Sequence, residues 1–132
     1  MKLQADRIEG QNAIARHGPH GVVVNGVEHR RSLIVAWNAD PWAWSPSRFE
    51  DLAEVDFQAL AARAPELVIF GSGSRLRFVR PALLRGLIER RIGVETMDTA
   101  AACRTYNVLL AEGRSVIAAL LFEDPNAERG GA

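Results

Sequence analysis

A single α/β domain whose second half forms a largely parallel sheet is the fold class that this sequence predicts. Three observations predict it. Short apolar runs alternate with helix-period segments from residue 67 onward, which is the order that builds parallel strands with crossover helices. An Asn-Gly pair sits between two apolar-containing runs near the start, the strongest short-range hairpin signal. The chain has 132 residues, 48% hydrophobic and 24% charged, the size and balance of one water-soluble domain. A chain of that size buries roughly two-thirds of its unfolded surface. Neither a metal nor a disulfide is required to hold it. Residues 1–123 are expected to form the domain, and the polar, glycine-containing residues 124–132 a flexible C-terminal tail.

Taken in order, residues 12–37 are rich in glycine and β-branched side chains, with a turn at Gly18-Pro19-His20-Gly21. Gly21 to Val24 and Val27 to Arg31 read as a hairpin closed by Asn25-Gly26, followed by a strand near Leu33 to Trp37. The stretch from Asn38 to Pro46 holds Pro41, Trp42, Trp44 and Pro46 and reads as a loop. Phe57, Leu60, Ala61 and Ala64 then recur at helical spacing over residues 54–64, and Pro65 stops that helix. Leu67-Val68-Ile69-Phe70 is a continuous apolar run ending at glycine, the mark of a strand buried on both faces.

After Gly71-Ser72-Gly73, Pro81 suits a first helical turn, with Leu83, Leu84, Leu87 and Ile88 as the buried stripe and Gly93 as the stop. Val94 to Met97 is the next strand. Asp98 or Thr99 caps a third helix that runs to about Glu112, with Ala102, Tyr106, Leu109 and Leu110 buried. Val116 to Phe122 is the last strand.

Several function classes are excluded by simple counts. Sixteen basic and sixteen acidic residues give a net charge of zero, which removes wholesale attraction to nucleic acid or to an anionic membrane. Charge is nonetheless uneven. Residues 40–66 carry six acids and two arginines, whereas residues 75–91 carry six arginines and one glutamate. That second run reads as a solvated face, and no nucleic-acid partner is expected. Cys103 is the single cysteine, so no internal disulfide or multi-cysteine zinc site exists. His17 and His20 flank a Gly-Pro turn without a third ligand at a recognisable spacing, so no metal and no cofactor is expected. The first seven residues lack an apolar stretch, and no run approaches the length of a membrane span. The expectation is a cytoplasmic protein that is not membrane-embedded.

Candidate functional residues cluster where parallel strands end. Gly71-Ser72-Gly73 follows a buried strand, at the rim where α/β folds present backbone N–H groups to a ligand. The third glycine of G-x-G-x-x-G and the G-K-[ST] signature are both missing, so a nucleotide site is not indicated. If the strands are parallel, Asp98 and Thr99 share that rim, with Thr99 accepting from the following turn as a cap. Arg75, and Arg104 and Asn107 one helical turn apart, complete the candidate ligand-binding set of Gly71, Ser72, Gly73, Arg75, Asp98, Thr99, Arg104 and Asn107. These groups make either a polar pocket or a structural tie between helix and loops. Trp42 and Trp44, in a proline-bracketed loop, are candidate partner-binding side chains if exposed.

The segment Met97-Asp98-Thr99, continuing through Tyr106-Asn107 to Glu112-Gly113-Arg114, is distinctive. With Gly71-Ser72-Gly73, Ser32-Leu33-Ile34 and Gly93-Val94-Glu95 it resembles the Mth938-like domains, a small family of unknown function that includes an assembly factor of mitochondrial respiratory complex I and an adipogenesis-associated protein. The resemblance implies a three-layer β and α/β/α arrangement around a mixed central sheet. It carries no catalytic activity across. It implies instead a non-enzymatic binding module with a protein partner, supporting assembly of a respiratory or other membrane protein complex. The alternative is a small anionic-ligand-binding protein or an enzyme using the rim around Gly71, Gly73 and Thr99. The family's usual turn is Gly-Thr-Gly, and Ser72 here preserves a hydroxyl at its centre.

Overall fold

A computed structural model describes residues 12–123. Eight strands and three α-helices follow in the order β1 (Ile14–Gly18), β2 (Gly21–Val24), β3 (Val27–His29), β4 (Leu33–Ala36), β5 (Ala39–Ala43), α1 (Glu54–Ala61), β6 (Leu67–Gly71), α2 (Arg85–Glu89), β7 (Gly93–Met97), α3 (Thr99–Ala111) and β8 (Val116–Leu120). Short 3-10 turns at Phe49–Asp51 and Pro81–Leu84 precede α1 and α2. The C-terminal tail expected at 124–132 lies outside the described residues.

The central sheet has the order β5-β4-β8-β6-β7. β7, β6 and β8 run parallel, while β4 pairs antiparallel with both β8 and β5. Strands β1, β2 and β3 form a separate antiparallel sheet. The Asn-Gly hairpin is present as read, with φ of 53° at Asn25 and 79° at Gly26, the left-handed pair that a two-residue hairpin demands.

Two apolar clusters cover the two faces of the central sheet. One face carries α3 and the small sheet, packing Ile14, Val22 and Val24 with Val35, Ile69, Ala118, Ala102 and Tyr106. The opposite face carries α1 and α2, packing Ile34, Val68, Phe70, Ile117 and Ala119 with Phe57, Leu60 and Leu87. Alternate residues of β4, β6 and β8 therefore serve opposite cores, which is why those strands read as unbroken apolar runs. The result is the three-layer mixed-sheet architecture, and strand β8, last in the chain, lies at its centre.

Several elements differ from the sequence reading: β3 ends at His29 rather than Arg31, α1 at Ala61 rather than Ala64, and β8 at Leu120 rather than Phe122. The loop expected over 38–46 contains strand β5, which accepts Pro41 because it is an edge strand paired only with β4, and the pairing skips a residue between Ile34 and Ala36. Strand β1 escaped notice because only Ile14 of its five side chains is buried, leaving no alternation to see. The single helix expected from Pro81 is a 3-10 turn followed by a five-residue α2. That change of pitch turns the expected stripe: Leu87 is buried, Leu83 and Leu84 are half-buried, and Ile88 is exposed. Gly93 does not stop that helix. Arg91, at φ 59°, reverses the chain, and Gly93 opens β7.

Candidate functional site

The rim expected from strand order exists. Parallel pairing places Gly71 beside Met97 on one side and Leu120 on the other, so β6, β7 and β8 end together. Helix α3 starts immediately after β7 and lays its first turn on Gly71. A methyl group at Gly71 would come within 2.9 Å of the Thr99 Cα, a backbone atom, so only glycine lets helix and strand approach this closely.

Thr99 closes the junction. Its Oγ1 accepts from the Gly73 N–H at 2.8 Å and donates to the Leu121 carbonyl at 2.9 Å. The Thr99 N–H donates to the Gly73 carbonyl at 2.9 Å, and the Leu121 N–H to the Gly71 carbonyl at 3.0 Å. Gly73 meets this geometry with φ 103°, a left-handed conformation that side chains resist. The expectation that Thr99 caps α3 is corrected. Asp98 is the cap, its Oδ1 accepting from the Ala101 N–H at 2.8 Å, while Thr99 bonds away from its own helix.

Ser72 is buried and equally occupied. Its hydroxyl donates to the Arg75 carbonyl at 2.7 Å and accepts from the Arg77 N–H at 2.9 Å, and its N–H donates to the Met97 carbonyl at 2.8 Å. The Arg77 guanidinium donates to the Ser72 carbonyl at 2.7 Å and to Glu123 Oε1 at 2.9 Å, and lies 4.6 Å above the Phe49 ring. Glu123 Oε2 in turn accepts from the Phe49 N–H at 2.8 Å. Either hydroxyl residue, Ser or Thr, can fill these bonding roles.

Beside this junction lies a cleft of about 560 Å³. His17 to His20 form one wall; Gly73, Ser74, Asp98, Thr99 and Ala100 form the other; Leu121, Phe122 and Glu123 form the base. Of the candidate ligand-binding residues, the structure brings Gly71, Ser72, Gly73, Asp98 and Thr99 to one rim, and the cleft is lined by Gly73, Asp98 and Thr99. The Arg75 and Arg104 side chains point outward and line no part of it. Asn107 turns to β1, its Oδ1 accepting from the Ile14 N–H and its Nδ2 donating to the Ile14 carbonyl, both at 2.8 Å. Of the two readings, pocket or structural tie, Asn107 makes the tie, joining α3 to the small sheet.

The buried titratable groups are held neutral. Burial pushes the Cys103 thiol up to about 12, far from thiolate reactivity, despite the opposing charge of Arg104. Burial also pushes the Tyr106 phenol up, and its hydroxyl donates to the Asn12 carbonyl at 3.0 Å. No group of three His, Cys, Asp or Glu side chains among the described residues is arranged to hold a metal ion. No helix among them is long and apolar enough to cross a membrane.

The tryptophans separate. Trp44 is 7% exposed and packs edge-on against Phe57 and Phe70, a core side chain rather than the exposed indole that a partner-binding role requires. Trp42 is half-buried beneath the Arg63 guanidinium, 4.5 Å from its ring. Sequence reasoning missed Glu123, whose partners Arg77 and Phe49 lie 46 and 74 residues away, a separation at which no spacing rule operates. It also missed Asn12, whose side chain donates to the Ala36 and Ala39 carbonyls and accepts from Asn25.

Residues 14–121 match a family described as "protein of unknown function (DUF498/DUF598)". An uncharacterized protein of Rhodobacter capsulatus is 38% identical over 113 residues, covering 85% of this chain and 86% of its own. NADH dehydrogenase (ubiquinone) 1 alpha subcomplex assembly factor 3 of Bos taurus is 38% identical over 80 residues, 59% of this chain and 44% of that protein. The match therefore spans less than half the length of that relative. The solution structure of a Bordetella pertussis protein, described as a Mth938-like domain, superposes with a TM-score of 0.82 at 30% identity, covering 98% of each chain.

Proposed function

The chain belongs to the DUF498/DUF598 family, and we propose that it is a protein-binding module that supports assembly of a respiratory membrane complex rather than a catalyst. The observation that carries this reading is the 38% identity to a complex I assembly factor over 80 residues. The chain folds into a scaffold whose rim hydroxyls, Ser72 and Thr99, are consumed by backbone partners and whose thiol is buried. A scaffold of that kind works through its outer surface.

Deletion of the gene in the source organism tests the reading. The expected result is less assembled membrane NADH dehydrogenase on native gels, with partial assemblies accumulating and recovery on re-expression. Unchanged amounts of this and the other respiratory complexes overturn it.

A further inference from the structure

The arginines of this protein fall into two groups. Arg30, Arg77 and Arg114 are ion-paired with Glu28, Glu123 and Glu66, and Arg63 covers Trp42. Arg75, Arg80, Arg85 and Arg91 are exposed, and their guanidinium groups make no ion pair or hydrogen bond among the described residues. These four fall within 17 residues of chain carrying a net charge of +5. Arg16, Arg31 and Arg104 also make no ion pair among the described residues, but they are dispersed over other parts of the fold.

The same stretch shows apolar side chains that the fold does not need. Phe78 is 70% exposed and Leu76 is 52% exposed. Residues 76–80 alternate as an extended chain does: Arg77 and Val79 turn inward, Arg77 to Ser72 and Glu123 and Val79 to the core, while Leu76, Phe78 and Arg80 face solvent. Leu76 lies between the Arg75 carbonyl and the Arg77 N–H, both held by the Ser72 hydroxyl. The outward row is therefore fixed in place by the residues between its members. Leu76 and Phe78 make no backbone hydrogen bond among the described residues, so their N–H and C=O groups are open to pairing.

We propose that the strap over residues 74–85 is the docking surface of this module, and that it receives an extended acidic segment of a partner protein, whose apolar side chains cover Leu76 and Phe78 while its carboxylates meet Arg75, Arg80 and Arg85. This proposal rests on the protein-binding reading above and specifies its surface. Extended pairing would satisfy the open backbone groups, and because Leu76, Phe78 and Arg80 share one side of the strap, the partner that fits presents two apolar side chains two apart with a carboxylate next in the same row, and further acids flanking them. Unpaired arginines select a complementary charge. Anionic lipid offers that charge too, but α1 packs directly against α2 and its preceding turn, and α1 with the 3-10 turn Phe49–Asp51 before it carries Glu54, Glu50 and Asp51 on the same side of the sheet. A broad anionic bilayer would meet those carboxylates, whereas a narrow peptide need not.

The test has two arms. In solution, the full chain is titrated into a fluorescein-labelled peptide in which a leucine and a phenylalanine two residues apart are flanked on both sides by glutamates. Saturable binding is expected, weakened at least tenfold by Arg75→Glu with Arg80→Glu, weakened similarly by Leu76→Ser with Phe78→Ser, and weakened by salt. Equal binding by all three proteins overturns the proposal, as does pelleting with phosphatidylcholine–phosphatidylglycerol vesicles in place of peptide binding. In cells of the source organism, Phe78→p-benzoylphenylalanine is irradiated beside Val27→p-benzoylphenylalanine on β3, which is also exposed. Adducts at position 78 that map to an acid-rich protein segment, and that disappear with Arg75→Glu and Arg80→Glu, support the surface. Adducts to lipid or to a second copy of this chain overturn it. Protein adducts at position 27 alone overturn the strap and leave the binding-module reading standing. No protein adduct at either position, with complex levels unchanged on deletion, brings down both.

Discussion

The junction of β6 with α3 and the strap that follows it are adjacent in sequence and opposite in character. At the junction, Gly71, Gly73 and Thr99 bond to one another and to Leu121, Ser72 bonds to Met97, Arg75 and Arg77, and no side-chain polar atom buried among the described residues lacks a partner. In the strap, a phenylalanine, a leucine and three arginines stand exposed, without partners among the described residues. The two regions share Ser72 and Arg77, which anchor the strap to the rim. Folding accounts for every group at the junction. It does not account for the strap, where exposed apolar surface gains nothing for the isolated chain. Polar residues near a strand end thus divide into those that hold the fold and those left for something outside it, and bond inventory separates the two where residue type cannot.

Thr99→Val tests the junction most severely. Valine conserves shape but strands the Gly73 N–H and the Leu121 carbonyl in the interior. At about 1–3 kcal/mol for each orphaned group, the loss is expected to be about 3 kcal/mol. Thr99→Ser retains the hydroxyl and is expected to lose less than half as much. Urea unfolding of both variants checks the pair, and equal losses would mean that the methyl group, not the bonding, holds the junction.

Alkaline stability sharpens the contrast from the side of α3. Cys103 and Tyr106 are buried on that helix with raised ionisation. Between pH 9 and 12 the unfolded chain releases the Cys103 proton and the folded chain keeps it, so the folded state binds more protons and stability falls as pH rises. The slope from this one group is about 1.4 kcal/mol per pH unit, and Tyr106 steepens it above pH 10. Stability is unaffected by this pair below pH 9. Urea midpoints at successive pH values should show a shallower alkaline decline in Cys103→Ala than in the parent, and identical slopes would contradict the thiol's assignment.

What the sequence made legible follows the same division. Periodicity and turn chemistry are local, so the Asn25-Gly26 hairpin, the buried β6 and the α3 start at Asp98 or Thr99 could be read directly, and parallel order then placed Gly71 and Thr99 on one rim. The family resemblance supplied the layering. Direction of side-chain bonding could not be read: Thr99 was equally compatible with capping its helix or clamping Gly73, and Asn107 with a pocket or with Ile14, because the choice depends on partners 26 and 93 residues away. Pro41 and the exposed face of β1 hid two strands by removing the pattern on which strand recognition depends. The arginine run was visible as charge. Its apolar row became visible only once Arg77 and Val79 were seen to turn inward, since the leucine stripe nearby competes for the same reading as core.

The smallest expected effect is the one that bears most on function. Phe78→Ser removes a large aromatic side chain, a change that costs several kcal/mol in a core. Here the ring is 70% exposed and the chain on either side is held by Arg77 and Val79, so the unfolding free energy is expected to change by no more than about 0.5 kcal/mol. Thermal and urea unfolding of the variant measure this directly. A loss above about 2 kcal/mol would place Phe78 in the fold's own packing and dissolve the contrast between junction and strap. Unchanged stability combined with lost peptide binding or lost complex assembly would separate the two roles: a phenylalanine that folding does not require, kept at a fixed position between two anchored neighbours, is then present for contact with another molecule.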